Sequence, residues 1–153
     1  PLAATDQSSW REVIPYDHGM YLEQVYPFAD CLLLSGRQEG LSQLWTYRGE
    51  ALEKLDWAES VYTVEVGENR MYTTTEAMVV YESLLTPRTF YEIDLGTLQR
   101  RLVHKDEVPG EYNPADYRQE RLWATAADGT RVPMSLVSRV GAFDLGPAPL
   151  ILR

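Results

Sequence analysis

Apolar and polar residues alternate with a period of two along most of the chain, and turn-forming residues separate the alternating runs. Such alternation is typical of β-strands that bury one face. The predicted strands are residues 21–28, 31–36, 41–48, 61–66, 70–75, 77–84, 89–95, 98–104, 121–126, 132–138 and 149–152. No segment keeps a 3.6-residue period between caps, and the short segment 49–60 comes nearest to a helix. The pattern predicts a mostly antiparallel β chain.

An internal repeat organises the first two thirds of the chain. Residues 32–55 and 79–102 share an order of strand, turn, strand, turn and strand, with Leu44 matching Phe90 and Leu55 matching Leu102. Four-stranded propeller blades repeat at roughly 40 to 50 residues, which suits this spacing. The repeat favours two blades of a β-propeller, and a generic meander in a sandwich or barrel is the alternative.

The organisation changes near residue 106. Two prolines and a glycine within 107–114 indicate a connection between units. A hairpin is predicted around Asp128-Gly129, a dipeptide that tolerates the positive φ of a tight turn. Pro133 cannot donate a backbone hydrogen bond, which predicts an edge strand or a bulge there. Residues 148–152 resemble a buried strand of a parallel sheet, which needs neighbouring strands.

Composition narrows the class of protein. The 153 residues carry 14 basic and 23 acidic side chains, a net charge of -9 that argues against nucleic acid as the main partner. The single cysteine, Cys31, excludes an intramolecular disulfide framework and is expected in the core, so we expect a cytoplasmic protein. No apolar run approaches the ~20 residues of a membrane span, so no membrane partner is expected. The chain begins without Met, and we expect it to be cut from a longer protein.

No complete active site stands out, and we predict no catalytic residue, cofactor site or metal site. His18 and His104 lack a second ligand at metal-binding spacing, and Ser35 and Ser135 lack a nucleophile motif. A carboxylate pair for glycoside hydrolysis would have to come from residues that alternation places mostly on solvated faces. Those carboxylates are Glu65, Glu68, Glu76, Glu82, Glu92, Asp94, Asp106, Glu107 and Glu111.

A longer pattern is more specific. Residues 83–95, 107–110 and 117–137 resemble the prolyl oligopeptidase family, and within it the oligopeptidase B (protease II) branch. The resemblance covers nearly the whole chain and is most pronounced over residues 81–152. It implies partial antiparallel propeller blades followed by the first strands of an α/β-hydrolase domain.

The resemblance also implies a domain organisation and an activity. Residues 1–20 would end a preceding blade, 21–105 would form two blades, 106–118 would connect the domains, and 119–153 would begin the peptidase domain. Enzymes of this branch are serine oligopeptidases that cleave short basic peptides after Arg or Lys, with a Ser-Asp-His triad located after the region that this chain matches. We therefore expect this chain to be inactive alone, to pair with the remainder of the peptidase domain, and to gate substrate access.

Within the connection we predict a hinge, because a short proline-containing crossing concentrates rotation at few dihedral angles. The hinge residues are Asn113, Pro114, Ala115, Asp116, Tyr117 and Arg118. Unpaired sheet edges of a partial propeller predict self-association. The alternative function is that of a complete, non-catalytic β module that binds a ligand or a protein partner.

Overall fold

The computed structural model describes residues 6–144 and 146–152. Two four-stranded antiparallel sheets follow each other, each with its strands in chain order. The first consists of β1 (Met20–Pro27), β2 (Leu32–Gln38), β3 (Leu41–Arg48) and β4 (Ala51–Lys54). The second consists of β5 (Tyr62–Val66), β6 (Glu76–Ser83), β7 (Thr89–Asp94) and β8 (Arg100–Lys105). A separate hairpin of β9 (Tyr117–Thr125) and β10 (Arg131–Arg139) completes the sheets, and short 3-10 helices occur at Gln7–Ser9 and Pro114–Asp116.

Each four-stranded sheet is one blade, so the predicted partial β-propeller is confirmed. The repeat holds for the second and third strands, because residues 32–35 and 79–82 lie in β2 and β6, and Leu44 and Phe90 lie in β3 and β7. The match of Leu55 with Leu102 is wrong in three dimensions. Leu55 is 1% exposed in the link between blades, whereas Leu102 is 55% exposed on β8.

Two-residue turns shape the first blade. Glu39 and Gly40 join β2 to β3 with φ angles of 53° and 80°, and Gly49 and Glu50 join β3 to β4 with 53° and 75°. Two successive positive φ angles match the right-handed twist of a hairpin. The second turn sends Ala51–Lys54 back along β3, which is why the expected helical tendency of residues 49–60 gives a strand instead.

One continuous apolar core joins the two blades. Its members come from β2, β3, the link after β4, and strands β5 to β7, and include Leu33, Leu44, Leu55, Val64, Ala77, Val79 and Ile93. Cys31 lies in this core, as predicted, and burial raises the pKa of its thiol. Buried and exposed residues alternate on β5 and β6, so one face of the second blade packs into the core that it shares with the first.

Two predicted strands are absent from the structure. Residues 70–75 form a turn, because the Asn69 side chain bonds the backbone of Gly67 and Met78 and holds the loop away from the sheet. Residues 149–152 are not in a strand, and Ile151 is 89% exposed, because none of the described residues pairs with them. The strand expected from Leu98 begins only at Arg100, since Asp94 caps a turn by accepting hydrogen bonds from Gly96 and Thr97.

The hairpin prediction is confirmed, with a different turn. Only Gly129 has a positive φ, 85°, and Ala126 donates its amide hydrogen to the Thr130 carbonyl over 2.8 Å. Asp128 Oδ1 accepts from the Thr130 amide, which closes the loop. Pro133 lies on β10, which pairs only with β9 among the described residues, so its predicted edge position is confirmed.

Candidate functional site

The predicted hinge lies where the hairpin begins. Asn113 caps the 3-10 helix Pro114–Asp116 by accepting a hydrogen bond from the Ala115 amide at 3.2 Å. Tyr117 and Arg118 are already paired in β9, opposite Arg139 and Ser138. The predicted hinge therefore consists of a capped 3-10 turn and the first two residues of a paired strand, and its motion stays a prediction.

Tyr112 joins this connection to the second blade. Its hydroxyl donates to the Leu85 carbonyl at 2.5 Å, and its ring lies 5.8 Å from that of Tyr117. Leu85 belongs to the β6–β7 turn, where Ser83 Oγ accepts from the amides of Leu85 and Thr86 at 2.9 and 2.7 Å. The connection is thus anchored on a turn that its own hydrogen bonds fix.

The link between β4 and β5 meets the β6–β7 turn beside the connection, and we call this region the junction. Glu59 of the link is its polar centre. Its carboxylate accepts from the Tyr81 hydroxyl at 2.7 Å and from the Thr86 hydroxyl at 2.8 Å. Burial raises the pKa of Glu59, but the polar side chains of Ser83, Tyr81, Thr86 and Gln119 outweigh it, so the pKa lies below its ordinary value. The amide of Gln119 stabilises this carboxylate from β9, although neither amide atom makes a hydrogen bond of regular geometry among the described residues.

An aromatic cluster forms around Trp57, which lies with Glu59 in the link between β4 and β5. The Trp57 ring stacks on Tyr81 with centroids 4.4 Å apart and also packs against Tyr62 and Tyr91. Arg100 covers the other side of Trp57 at 3.9 Å from the ring centroid and donates to the Asp56 carbonyl. Burial lowers the pKa of Arg100, while burial and the Glu59 carboxylate raise that of Tyr81. Because Arg100 of the same chain already covers the Trp57 ring, we interpret the cluster as packing and not as a binding site for an external cation.

Arg121 joins the hairpin to the first blade. Its Nη2 donates to the Glu39 carbonyl at 2.5 Å, and its Nη1 donates to Ser135 Oγ at 3.3 Å. Beside it a cavity of about 360 Å³ opens between the blades and the hairpin. Charged and hydroxyl side chains line much of it, including Arg37, Ser42, Thr63, Glu82, Arg121 and Ser135.

The candidate residues from the sequence do not assemble into an active site. His18 contacts the Tyr16 hydroxyl, and His104 pairs with Asp106 at 3.1 Å, both at the surface. Ser135 bonds Arg121, and Ser35 lies within β2. Within residues 6–144 and 146–152 no three His, Cys, Asp or Glu side chains are placed to hold a metal ion. Nor does a helix of this part of the chain have the length and apolarity that crossing a membrane requires.

The residues that build the junction were missed by the sequence reading. Glu59 and Trp57 lie in a link with no period of its own, and Tyr112 lies in a proline-containing connection. A tryptophan and a carboxylate two residues apart, beginning two residues after Leu55, were the available signal. Burial of Glu59 depends on contacts from β6 and β9, which the sequence does not reveal.

Comparison with known proteins places this architecture in a family. Residues 1–106 match the family model for the prolyl oligopeptidase N-terminal β-propeller domain. Over 96% of its length the chain is 44% identical to Protease 2 of Moraxella lacunata, of which it covers 21%.

Solved structures agree. Oligopeptidase B from Trypanosoma brucei, in a closed form with covalently bound antipain, aligns with a TM-score of 0.77 and 33% identity over 87% of this chain and 20% of that one. Oligopeptidase B from Leishmania major aligns with a TM-score of 0.80 and 27% identity over 93% of this chain and 22% of that one. The chain thus spans about a fifth of the length of the relatives it matches, and its residues 1–106 correspond to part of the propeller domain. The chain belongs to the prolyl oligopeptidase family.

Proposed function

We propose that this chain is a non-catalytic part of a longer serine oligopeptidase, in which its blades form part of the wall through which peptides reach a catalytic site carried elsewhere. The observation that carries the proposal is the 44% identity with Protease 2 over nearly the whole chain and only 21% of that relative. The described residues form blades, a connection and a hairpin, and their histidines and serines stay apart in separate contacts. The Ser-Asp-His triad of the parent enzyme lies, in this proposal, outside these residues.

We propose that the parent enzyme cleaves short peptides after Arg or Lys. Support comes from the oligopeptidase B relatives and from the net charge of -9, which attracts cationic peptides. Glu65 and Glu82 add local acidity, since both line a cavity of about 230 Å³ on the second blade, next to Arg88. Carboxylates along an entry path raise the local concentration of a basic substrate.

We propose that the propeller gates access and that the connection is where the two domains separate. A wall of packed blades admits only peptides that fit through it or enter when the domains part. The Trypanosoma brucei relative is described in a closed form, which supports a closing motion in that protein. A cytoplasmic location is proposed from the single, buried thiol of Cys31.

Two partners follow from this proposal. The remainder of the peptidase domain would cover the hairpin, where Leu122, Met134 and Val137 are each close to 40% exposed. A second copy of the chain is the other, through unpaired sheet edges. Pro133 on β10 and the basic side chains of β8 oppose such pairing, so any self-association would be weak.

Specificity and gating are testable in the longer protein that contains this segment. We expect cleavage of short reporter peptides after Arg or Lys with a kcat/KM at least about 100-fold above that for matched peptides with Pro or Glu at the cleaved position, a difference of about 2.7 kcal/mol. We also expect folded protein substrates to remain intact under conditions that exhaust the peptides. Preferred cleavage after Pro would overturn the specificity, and efficient digestion of folded proteins would overturn the gate.

A further inference from the structure

Two hydrogen bonds flank the predicted hinge, one on each side along the chain. Before it, Tyr112 bonds the Leu85 carbonyl in the β6–β7 turn. After it, Arg121 bonds the Glu39 carbonyl in the β2–β3 turn. Each turn joins the second and third strands of its blade, so the two contacts reach equivalent points of two successive blades.

The Tyr112 contact is built on a rigid support. The turn that carries Leu85 is closed by the bond from the Ser83 amide to the Thr86 carbonyl at 2.9 Å, and Thr86 is held by Glu59 at 2.8 Å. The Tyr112 ring also packs against Tyr117. The Leu85 carbonyl is therefore held in place for Tyr112, and the bond between them is partly buried, so water competes for it less than for an exposed contact.

The Arg121 contact is close but solvent-accessible. A Cβ built on Gly40 would lie 3.2 Å from Arg121 Nη2 and 3.6 Å from Pro133 Cγ, so the hairpin approaches this turn on both of its strands. The same guanidinium bonds Ser135 of β10. Water can replace the Glu39 carbonyl as an acceptor, because the contact lies at the surface.

We propose that Tyr112 and Arg121 are two clamps that hold the β9–β10 hairpin on the turns of two successive blades, with Tyr112 as the fixed anchor and Arg121 as the releasable one. Segment 113–120 lies between the clamps, so the hairpin swings away from the first blade only after the hydrogen bond from Arg121 to the Glu39 carbonyl breaks. The clamps belong to these 153 residues and not to the catalytic reaction. Their test uses no peptidase activity, and its failure is distinct from failure of the proposed function.

Distances between spin labels test the clamps in the full chain. Labels at Glu53→Cys on β4 and Ala127→Cys at the hairpin tip, both at exposed positions, would be introduced in a Cys31→Ala background. We expect one narrow distance distribution for this parent. Arg121→Gln should widen it about twofold or more, and adding Tyr112→Phe, which removes only the hydroxyl, should widen it further.

Arg131→Gln is the matched control, because it removes the same charge from the same hairpin at a side chain that lies over Trp123, 4.5 Å from the ring centroid. It should leave the distribution unchanged. Circular dichroism checks that every variant keeps its sheets, which separates hairpin motion from unfolding. An unchanged width in the double variant, or equal broadening by Arg131→Gln, would overturn the proposal.

Discussion

Replacing Trp57 by alanine is expected to lower the free energy of unfolding by about 3 kcal/mol, at the lower end for buried aromatic residues because Trp57 is only partly buried. The ring fills the space between Tyr62, Tyr81 and Tyr91, and it is the surface on which Arg100 rests. Its loss removes the stacking and leaves a gap in the link that joins the two blades. The measurement is urea unfolding followed by circular dichroism, with the slope checked for a change.

Trp10→Ala is the control, because Trp10 is 70% exposed and its removal should change stability by less than about 0.5 kcal/mol. Trp57→Phe should lie between the two, since it keeps a stacked ring and removes an indole nitrogen that has no hydrogen-bond partner among the described residues. Equal losses for Trp57→Ala and Trp10→Ala would show that the aromatic cluster does not stabilise the fold.

Replacing Glu59 by alanine is expected to cost about 2 kcal/mol at pH 7. The Tyr81 and Thr86 hydroxyls both donate to this carboxylate in a partly buried site. Tyr81 is the buried one of the two, and a buried donor left without an acceptor costs about 1 to 3 kcal/mol. Glu59→Gln should cost less, because the amide oxygen still accepts one of the two bonds. The midpoints of urea unfolding at pH 7 rank the stabilities of the native chain, Glu59→Gln and Glu59→Ala.

The same carboxylate predicts a pH dependence. The pKa of Glu59 is lowered in the folded chain from its ordinary value of 4.5, so the ionised form favours folding. This contribution is fully present above pH 4.5 and is lost as the pH falls through the lower folded pKa. The stability difference between the native chain and Glu59→Gln should therefore shrink between about pH 5 and pH 3.

Glu53→Gln is the matched control, because Glu53 lies exposed on the edge strand β4. The free energy of unfolding of Glu53→Gln should differ little from that of the native chain at every pH. A Glu59→Gln difference that stays constant down to pH 3 would contradict the view that the junction holds an ionised carboxylate.

How far the sequence predicts this fold depends on the kind of element. Residues 41–48 were predicted with the bounds observed for β3, because alternation and turn residues are local signals. Residues 70–75 are also rich in strand formers, with one tyrosine and three threonines, but Asn69 holds them in a turn through bonds to Gly67 and Met78. These side-chain bonds are made by a residue outside the segment, so they have no signature in residues 70–75 themselves.

The junction and the connection show the same difference between features with a local signal and features that depend on residues elsewhere in the chain. The position of a connection near residue 106 followed from its prolines and glycine, and the family resemblance followed from a long contiguous pattern. Glu59 and Arg121 act through partners 22 to 82 residues away, so no local pattern identifies them. Tyr117 and Arg118 of the predicted hinge pair with β10, and no local pattern shows this pairing because its partners follow the turn.

Labelling by a serine-directed fluorophosphonate probe tests the central claim most directly, that this chain is the propeller side of a peptidase and carries no catalytic centre. The purified 153-residue chain should show no labelling above that of a heat-denatured sample, under conditions where a longer protein containing the segment is labelled at one serine. Stoichiometric labelling of a serine within the 153 residues, abolished when the chain is denatured before the probe is added, would contradict the account.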